Sequence, residues 1–337
     1  MTSGKAKNIA TSVRARLLNI ARRIDKPFEE LLVLYGLERF LFRLSQSVYK
    51  DNFILKGGLL LIGMGFPQAR PTKDIDFLGL ISSNIEVVSK TIQEIGNIDI
   101  EDGIVYDFAK LSNEPMSPNS DYPGIRFKFS GRLGQTRIPM QVDIGFGDRI
   151  VPAAKEMSFP TLLDMEPPVI RSYAIETIIA EKFEAALDLA DLNSRMKDFF
   201  DIWILSQKYP FGGQSLQEAI IATCRRRKTS ISSKAEIFSR EFANRYNKQI
   251  QWSAFLRKGP MGEVPEEFLI IMEGIQSFLL PVTLETENEN SFESEWPPGG
   301  PWHEKENSMK RDTLKLLSFF GLLKMSDILP IYGISHN

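Results

Sequence analysis

Asp74 and Asp76 stand one residue apart inside Lys73–Leu80, a short run rich in apolar residues that favour strands. On a strand, alternate side chains share a face. The two aspartates therefore project from one side, while Ile75 and Phe77 turn to the other, into a core. At roughly 3.3 Å of rise per residue the carboxylates stand about 7 Å apart. Like charges so placed disfavour one another unless a cation joins them. A divalent ion resolves the conflict: Mg²⁺ takes hard oxygen ligands and keeps phosphate oxygens in its shell. Whatever fold the chain adopts must bury one face of this strand and turn the other toward a charged site.

The surrounding pattern places that strand. From Ser12 to Tyr49, Leu17, Leu18, Ala21, Leu31, Leu32, Leu34, Leu37, Phe40, Leu41 and Leu44 recur at helical spacing. Pro27 fits a helix start and Gly36 a break. The middle third changes to strand-like pieces at Lys73–Leu80, Ile104–Lys110, Tyr122–Ser130 and Arg137–Gly145, with a helix near Ile85–Ile95. A short strand-like piece, Val169–Tyr173, leads into a helix over Ala174–Leu189, and another helix runs from Lys197 to Gln207. Helical patterns dominate from Leu216, and Lys310–Leu323 reads as a last helix. Glu285–Pro301 is acidic, then rich in Pro and Gly, the composition of a solvated or disordered loop. Strands mixed with helices argue for an α+β or α/β core. The expected division is 1–50 as N-terminal helices packing on a core, 51–166 as that core, and 167–337 as a mainly helical C-terminal domain.

Three further features bear on chemistry. In Ile138–Gly145 the alternation puts Gln141 and Asp143 on one face. If this strand lies beside the first, Asp143 joins Asp74 and Asp76. Three carboxylates suit two metals about 4 Å apart, the arrangement for in-line attack on a phosphoryl group. Gly57-Gly58 lies between a strand-like piece and a helix, where backbone N–H groups can approach phosphate oxygens. Lys182 sits mid-stripe on its helix, with Ile178 and Ile179 one turn before it and Ala185 and Ala186 one turn after. A lysine there needs a negative partner. It either reaches into a cleft toward triphosphate oxygens or forms a structural ion pair. Asp198 and Asp201, three residues apart on the next helix, either pair with Lys182 or orient an attacking hydroxyl.

Composition removes other chemistries. Two histidines, His303 and His336, leave little room for a Ser-His-Asp or Cys-His hydrolase or a His-rich zinc site. A single cysteine, Cys224, excludes an internal disulfide and fits a reducing compartment. Net charge is −2, so the whole chain does not announce a nucleic-acid binder. Arg225-Arg-Arg-Lys228 and Arg14, Arg16, Arg22 and Arg23 are either solvated faces or phosphate contacts. No run of about 18 apolar residues stands out, and Met1–Arg16 lacks the apolar centre of a secretory signal. A cytoplasmic location without membrane contact is the expectation.

Taken together, Leu37–Ser45, Phe53–Gly58, Arg70–Asp76, Ala180–Ala185 and Arg195–Asp201 resemble the AbiEii/AbiGii nucleotidyltransferase toxins, a branch of the DNA polymerase β-like superfamily. The resemblance covers roughly the first two thirds of the chain. It implies a polymerase β-like core, a mixed sheet flanked by helices, with a helical C-terminal domain. It implies an Mg²⁺-bound (or Mn²⁺-bound) NTP and transfer of a nucleotidyl group. The implied acceptor is a tRNA 3′ end or other RNA, and the implied setting is a toxin–antitoxin or phage-defence system with a cognate antitoxin. Carried over by position, Asp74, Asp76 and Asp143 bind metal. Lys182 and Asp198 join them as catalytic residues, and Gly57, Gly58, Arg70, Thr72 and Lys182 serve the nucleotide. The superfamily's Gly-Ser is Gly57-Gly58 here, so backbone N–H groups must do the work of the hydroxyl. Two other functions suit the same fold: modification of a protein or small-molecule hydroxyl, and a non-catalytic binding module.

Overall fold

The computed structural model describes residues 3–66, 72–116, 124–257 and 264–305, with side chains from residue 8 onward. Helix α1 (Ser3–Arg23) buries Ala10, Val13, Leu17 and Ala21 along one stripe. Pro27 is extended, and α2 (Phe28–Ser45) starts immediately after it. Gly36 does not break α2 as expected: it lies mid-helix, where a Cβ would sit 3.0 Å from the Met140 sulfur. Its role is close helix-on-sheet packing, and Tyr106 donates its hydroxyl to the Gly36 carbonyl at 2.6 Å.

Next come β1 (Phe53–Lys56), α3 (Gly57–Gly63), β2 (Ile75–Gly79), α4 (Ile85–Gly96), β3 (Ile104–Pro115), β4 (Gly124–Leu133), β5 (Thr136–Phe146), β6 (Lys155–Ser158) and β7 (Val169–Ser172). Asn84 caps α4 by accepting from the Glu86 and Val87 amides. The seven strands form one mixed sheet in the order β3-β4-β5-β2-β1-β7-β6. β2 runs parallel to β5 and β1 to β7; the other neighbours are antiparallel. Alternation sorts the faces. In β4, Ile125, Phe127 and Phe129 are buried, while Arg126 and Lys128 between them are not.

The remainder is mainly helical: α5 (Ile175–Leu189), α6 (Met196–Lys208), then β8 (Phe211–Gly212), α7 (Gly213–Arg227), α8 (Arg240–Asn244), α9 (Tyr246–Leu256), α10 (Phe268–Glu287), β9 (Ser294–Trp296) and β10 (His303–Glu304). One connected hydrophobic core runs from Ala10 through Ile144 and Phe183 to Trp296, across residues 50 and 166.

Two expectations about this half are corrected. Glu285–Pro301 is a solvated loop only in part: α10 runs through Glu287, and β9 pairs with β8 and β10 in a small sheet, while residues 288–293 and 297–301 stay outside helix and strand. Trp296 is buried there and donates its indole N–H to the Ser206 carbonyl at 2.7 Å. The second concerns α10, whose 20 residues are long and apolar enough by composition to cross a membrane. Its Phe268, Ile271, Ile275, Phe278 and Val282 are instead buried in the core. The expected helix over Lys310–Leu323 lies outside the described residues.

Candidate active site

Strand register assembles the site. Lys56 on β1 faces Asp76 on β2, Asp76 faces Asp143 on β5, and Asp143 faces Arg126 on β4. Four adjacent strands thus carry a row of charges, positive, negative, negative, positive. Asp74, two residues before Asp76, completes a cluster. Ligand oxygens of Asp74, Asp76 and Asp143 lie within 4.8 Å of one another. The structure therefore brings the three expected carboxylates together.

Their surroundings differ. Asp143 is buried and gripped by Arg126, Nε to Oδ1 at 2.9 Å and Nη2 to Oδ2 at 2.6 Å. Asp74 accepts the Thr72 hydroxyl on Oδ1 at 3.0 Å. The Gln141 amide spans both, donating to Asp74 Oδ2 at 3.4 Å and Asp143 Oδ2 at 3.3 Å. Among the described residues, no donor bonds to the Asp76 carboxylate. Burial, followed by the charges of Asp74 and Asp143, pushes the Asp76 carboxyl up to about 6 despite Lys56 and Lys197. Three converging carboxylates with hard oxygen donors, one of them forced toward its protonated form, fit a divalent cation.

Gly57 takes a backbone reserved in practice for glycine, with φ at +69°, and a Cβ there would overlap the Asp76 carboxylate. The turn between β1 and α3 can thus lie against the acidic cluster only because this side chain is missing. Helix α3 has just seven residues, so its dipole adds little. Thr72 braces Asp74 and does not point away toward a ligand. Arg70 lies outside the described residues.

Across from the carboxylates, α5 and α6 supply cations. Lys182 sits between two acids, Nζ 2.9 Å from Asp198 and 2.7 Å from Asp201. Burial pulls its pKa down, but Asp201 and Asp198 outweigh that and raise it. Asp198 is pushed up by burial and held below its usual range by Lys182, Lys197 and Arg195. The ion pair expected for Lys182 is present, and so is the cleft. A hollow of about 270 Å³ is lined by Gly57, Gly58, Asp76, Lys182, Lys197 and Asp198, among others.

Several residues of this site carry no mark in the sequence pattern. Lys56 bonds to Glu181 at 3.0 Å and lies 3.5 Å from Asp148. Arg227 reaches Glu184 at 2.7 Å and Glu181 at 3.4 Å. Arg227 therefore turns into this network, and Arg226 donates to the Gly147 carbonyl at 2.8 Å. Of the Arg225–Lys228 run, Arg225 and Lys228 are exposed. Arg126 does leave a signal. β4 and β5 are joined through Gly134, whose φ is +61°, with Leu133 opposite Thr136. Counting back from that two-residue turn sets Arg126 opposite Asp143.

A family described as nucleotidyl transferase AbiEii toxin, type IV toxin–antitoxin system, matches residues 39–274. No curated protein matches the chain. Among solved structures, JHP933 from Helicobacter pylori aligns over 75% of this chain and 93% of its own, at 16% identity and a TM-score of 0.42. A second H. pylori structure, described as a nucleotidyltransferase candidate, aligns over 77% and 97%, at 15% identity and a TM-score of 0.40.

Proposed function

The chain belongs to the AbiEii family of nucleotidyltransferase toxins, and on that premise we propose that it moves a nucleotidyl group from a Mg²⁺-bound NTP to a hydroxyl of RNA, with the tRNA 3′ end as acceptor. Family membership carries the enzyme class, a nucleotide substrate and an antitoxin counterpart. The observation that carries the metal-dependent reading is the convergence of Asp74, Asp76 and Asp143 beside the Gly57 turn.

In this reading Asp74, Asp76 and Asp143 hold the metal, Mg²⁺ or Mn²⁺. The ion would neutralise phosphate charge and make the attacking hydroxyl easier to deprotonate. This chain's residues do the rest. Gly57 and Gly58 let backbone N–H groups come close to phosphate oxygens, without the hydroxyl that related enzymes carry. Lys182, steadied by Asp198 and Asp201, places a cation on the far wall of the cleft. Such a site acts by positioning and charge stabilisation. The acceptor oxygen bonds to the α-phosphorus, the bond to pyrophosphate breaks, and the hydroxyl proton leaves through the carboxylate cluster to solvent. The toxin acts in the cytoplasm, where NTP and tRNA are found.

Total RNA, purified tRNA, protein and small hydroxyl compounds, each incubated with labelled NTPs and Mg²⁺, test the acceptor. Label should enter tRNA. It should disappear with Asp74→Asn plus Asp76→Asn, by at least about a thousandfold for loss of the charge-stabilising centre. Label in protein or small molecules alone would overturn the RNA acceptor, and label surviving the double substitution would overturn the metal mechanism.

A further inference from the structure

The outer side of α10 carries a groove that the described residues leave open. It holds about 480 Å³ and is lined by Glu273, Ser277, Leu280, Pro281, Leu284 and Phe292, among others. We propose that residues 310–325 of this same chain dock in it as an amphipathic helix.

The groove is built like a helix seat. Ile270, Ser277 and Leu284 are exposed at seven-residue spacing along α10, the repeat that presents one seam to a partner helix. From Glu273 to Leu284 the seat runs about 17 Å at 1.5 Å per residue. Pro281 lies inside α10 and has no N–H, so the Ser277 carbonyl lacks its helical partner beside the groove. The flank is acidic: residues 285–295 hold Glu285, Glu287, Glu289, Glu293 and Glu295 and no lysine or arginine.

The chain leaves at the groove's edge. Trp302 donates its indole N–H to the Phe278 carbonyl at 2.8 Å, stacks on the Phe278 ring and meets Phe292 edge-on at 4.8 Å between ring centres. The described residues end shortly after, at Lys305. Residues 306–309 allow a tether of at most about 3.5 Å per residue. In 310–325, Leu316, Phe319, Phe320 and Leu323 recur at helical spacing. Lys310, Arg311, Lys315 and Lys324 outnumber a single acid, Asp312. A helix of that length spans about 24 Å, enough to cover the seat. Its apolar residues then meet Leu280 and Leu284, and its positive charge meets the acidic flank. Apart from the start of α10, groove and segment lie beyond residue 274, where the family match ends, and the docking stands whether or not the transfer reading does.

Hydrogen exchange of the full chain, read by mass spectrometry, tests this beside light scattering. In wild type, the amides of 310–325 should exchange at least about tenfold more slowly than in free chain, at the mass of a monomer. Leu284→Asp and Glu273→Lys, both at exposed positions, should each remove most of that protection, while the amides of β1, β2 and β5 keep theirs and show that the variants are folded. Rapid exchange of 310–325 in wild type would overturn the docking. So would protection that neither α10 substitution touches, because the segment would then be held elsewhere or be helical by itself. A dimer that Leu284→Asp converts to monomer would name a second copy of the chain as the occupant and overturn it too.

Discussion

Two clusters of charge, one buried and one only partly so, sit in the same molecule and are built on opposite plans. On α2, Glu38 Oε1 lies 2.9 Å from Arg39, and Asp102 is held by Arg43 at 2.5 and 3.1 Å. Two acids meet two guanidinium groups, all nearly without solvent exposure. In the strand row, three carboxylates meet one guanidinium close enough to bond. Burial raises a carboxyl in each place, Glu38 to about 7 and Asp76 to about 6. The neighbours then act with opposite sign. Arg39 works to lower Glu38, whereas Asp74 and Asp143 push Asp76 further up. Balanced charge that far inside is structural. Unbalanced charge at the wall of a cleft calls for a cation from outside.

The comparison is tested most severely by breaking the balanced cluster. Arg43→Met leaves Asp102 buried beside Tyr35 and Tyr106 with its ion pair removed. Removing one partner of a buried pair costs about 3–5 kcal/mol. Denaturant melts should show that loss, while label transfer per folded molecule stays at the wild-type level. A folded Arg43→Met protein with a depressed kcat would mean that the α2 cluster serves the site after all.

A smaller effect of the reverse kind is expected at Gly57. Alanine there must adopt a left-handed backbone, which costs about 1–2 kcal/mol, and its Cβ displaces the Asp76 carboxylate. Transfer should drop about a hundredfold, equivalent to about 2.7 kcal/mol of barrier, with stability falling less than in Arg43→Met. Transfer at the wild-type rate would show that the position of Asp76 is not critical.

Much of the acidic cluster was legible in the sequence because strand alternation is a strict rule. The period of two alone put Asp74 with Asp76 and Gln141 with Asp143, and the helical stripe singled out Lys182. What alternation cannot supply is pairing between distant strands. β2 and β5 are parallel, and Asp76 and Asp143 are far apart along the chain, so nothing local sets one opposite the other. Lys56 was hidden for the same reason. Arg126 was legible only through register counted from the tight turn at Gly134, not through composition. Gly36 and the segment Glu285–Pro301 misled because composition is silent about packing. A glycine inside a helix also serves close contact, and an acidic, Pro-rich stretch also closes a sheet when Trp296 and Trp302 anchor it to α6 and α10. For the α2 cluster, Glu38, Arg39 and Arg43 have the look of a helix's polar face. What closes over them is chain from elsewhere, with Ile98, Asp102 and Ile104 meeting Arg43, Leu162 meeting Glu38 and Glu166 meeting Arg39.

The finest test of the contrast is pH. In the unfolded chain Asp76 ionises near its ordinary 3.8; in the fold it keeps its proton to about 6. Between those values the folded protein binds more protons than the unfolded one, so stability falls as pH rises through the interval. Asp76→Asn removes that penalty. With divalent ions chelated, the variant should match wild type below about pH 4. Its advantage should grow to about 2 kcal/mol above pH 6.5, after discounting the full shift for partial exposure. Adding Mg²⁺ at neutral pH should reverse the order, because an ion that binds only the folded wild type stabilises it by mass action. Thermal melts across pH, with and without Mg²⁺, read both signs. An Asp76→Asn protein less stable than wild type in chelator at pH 7.5 would mean that the three carboxylates do not strain one another, and the contrast with the α2 cluster would collapse.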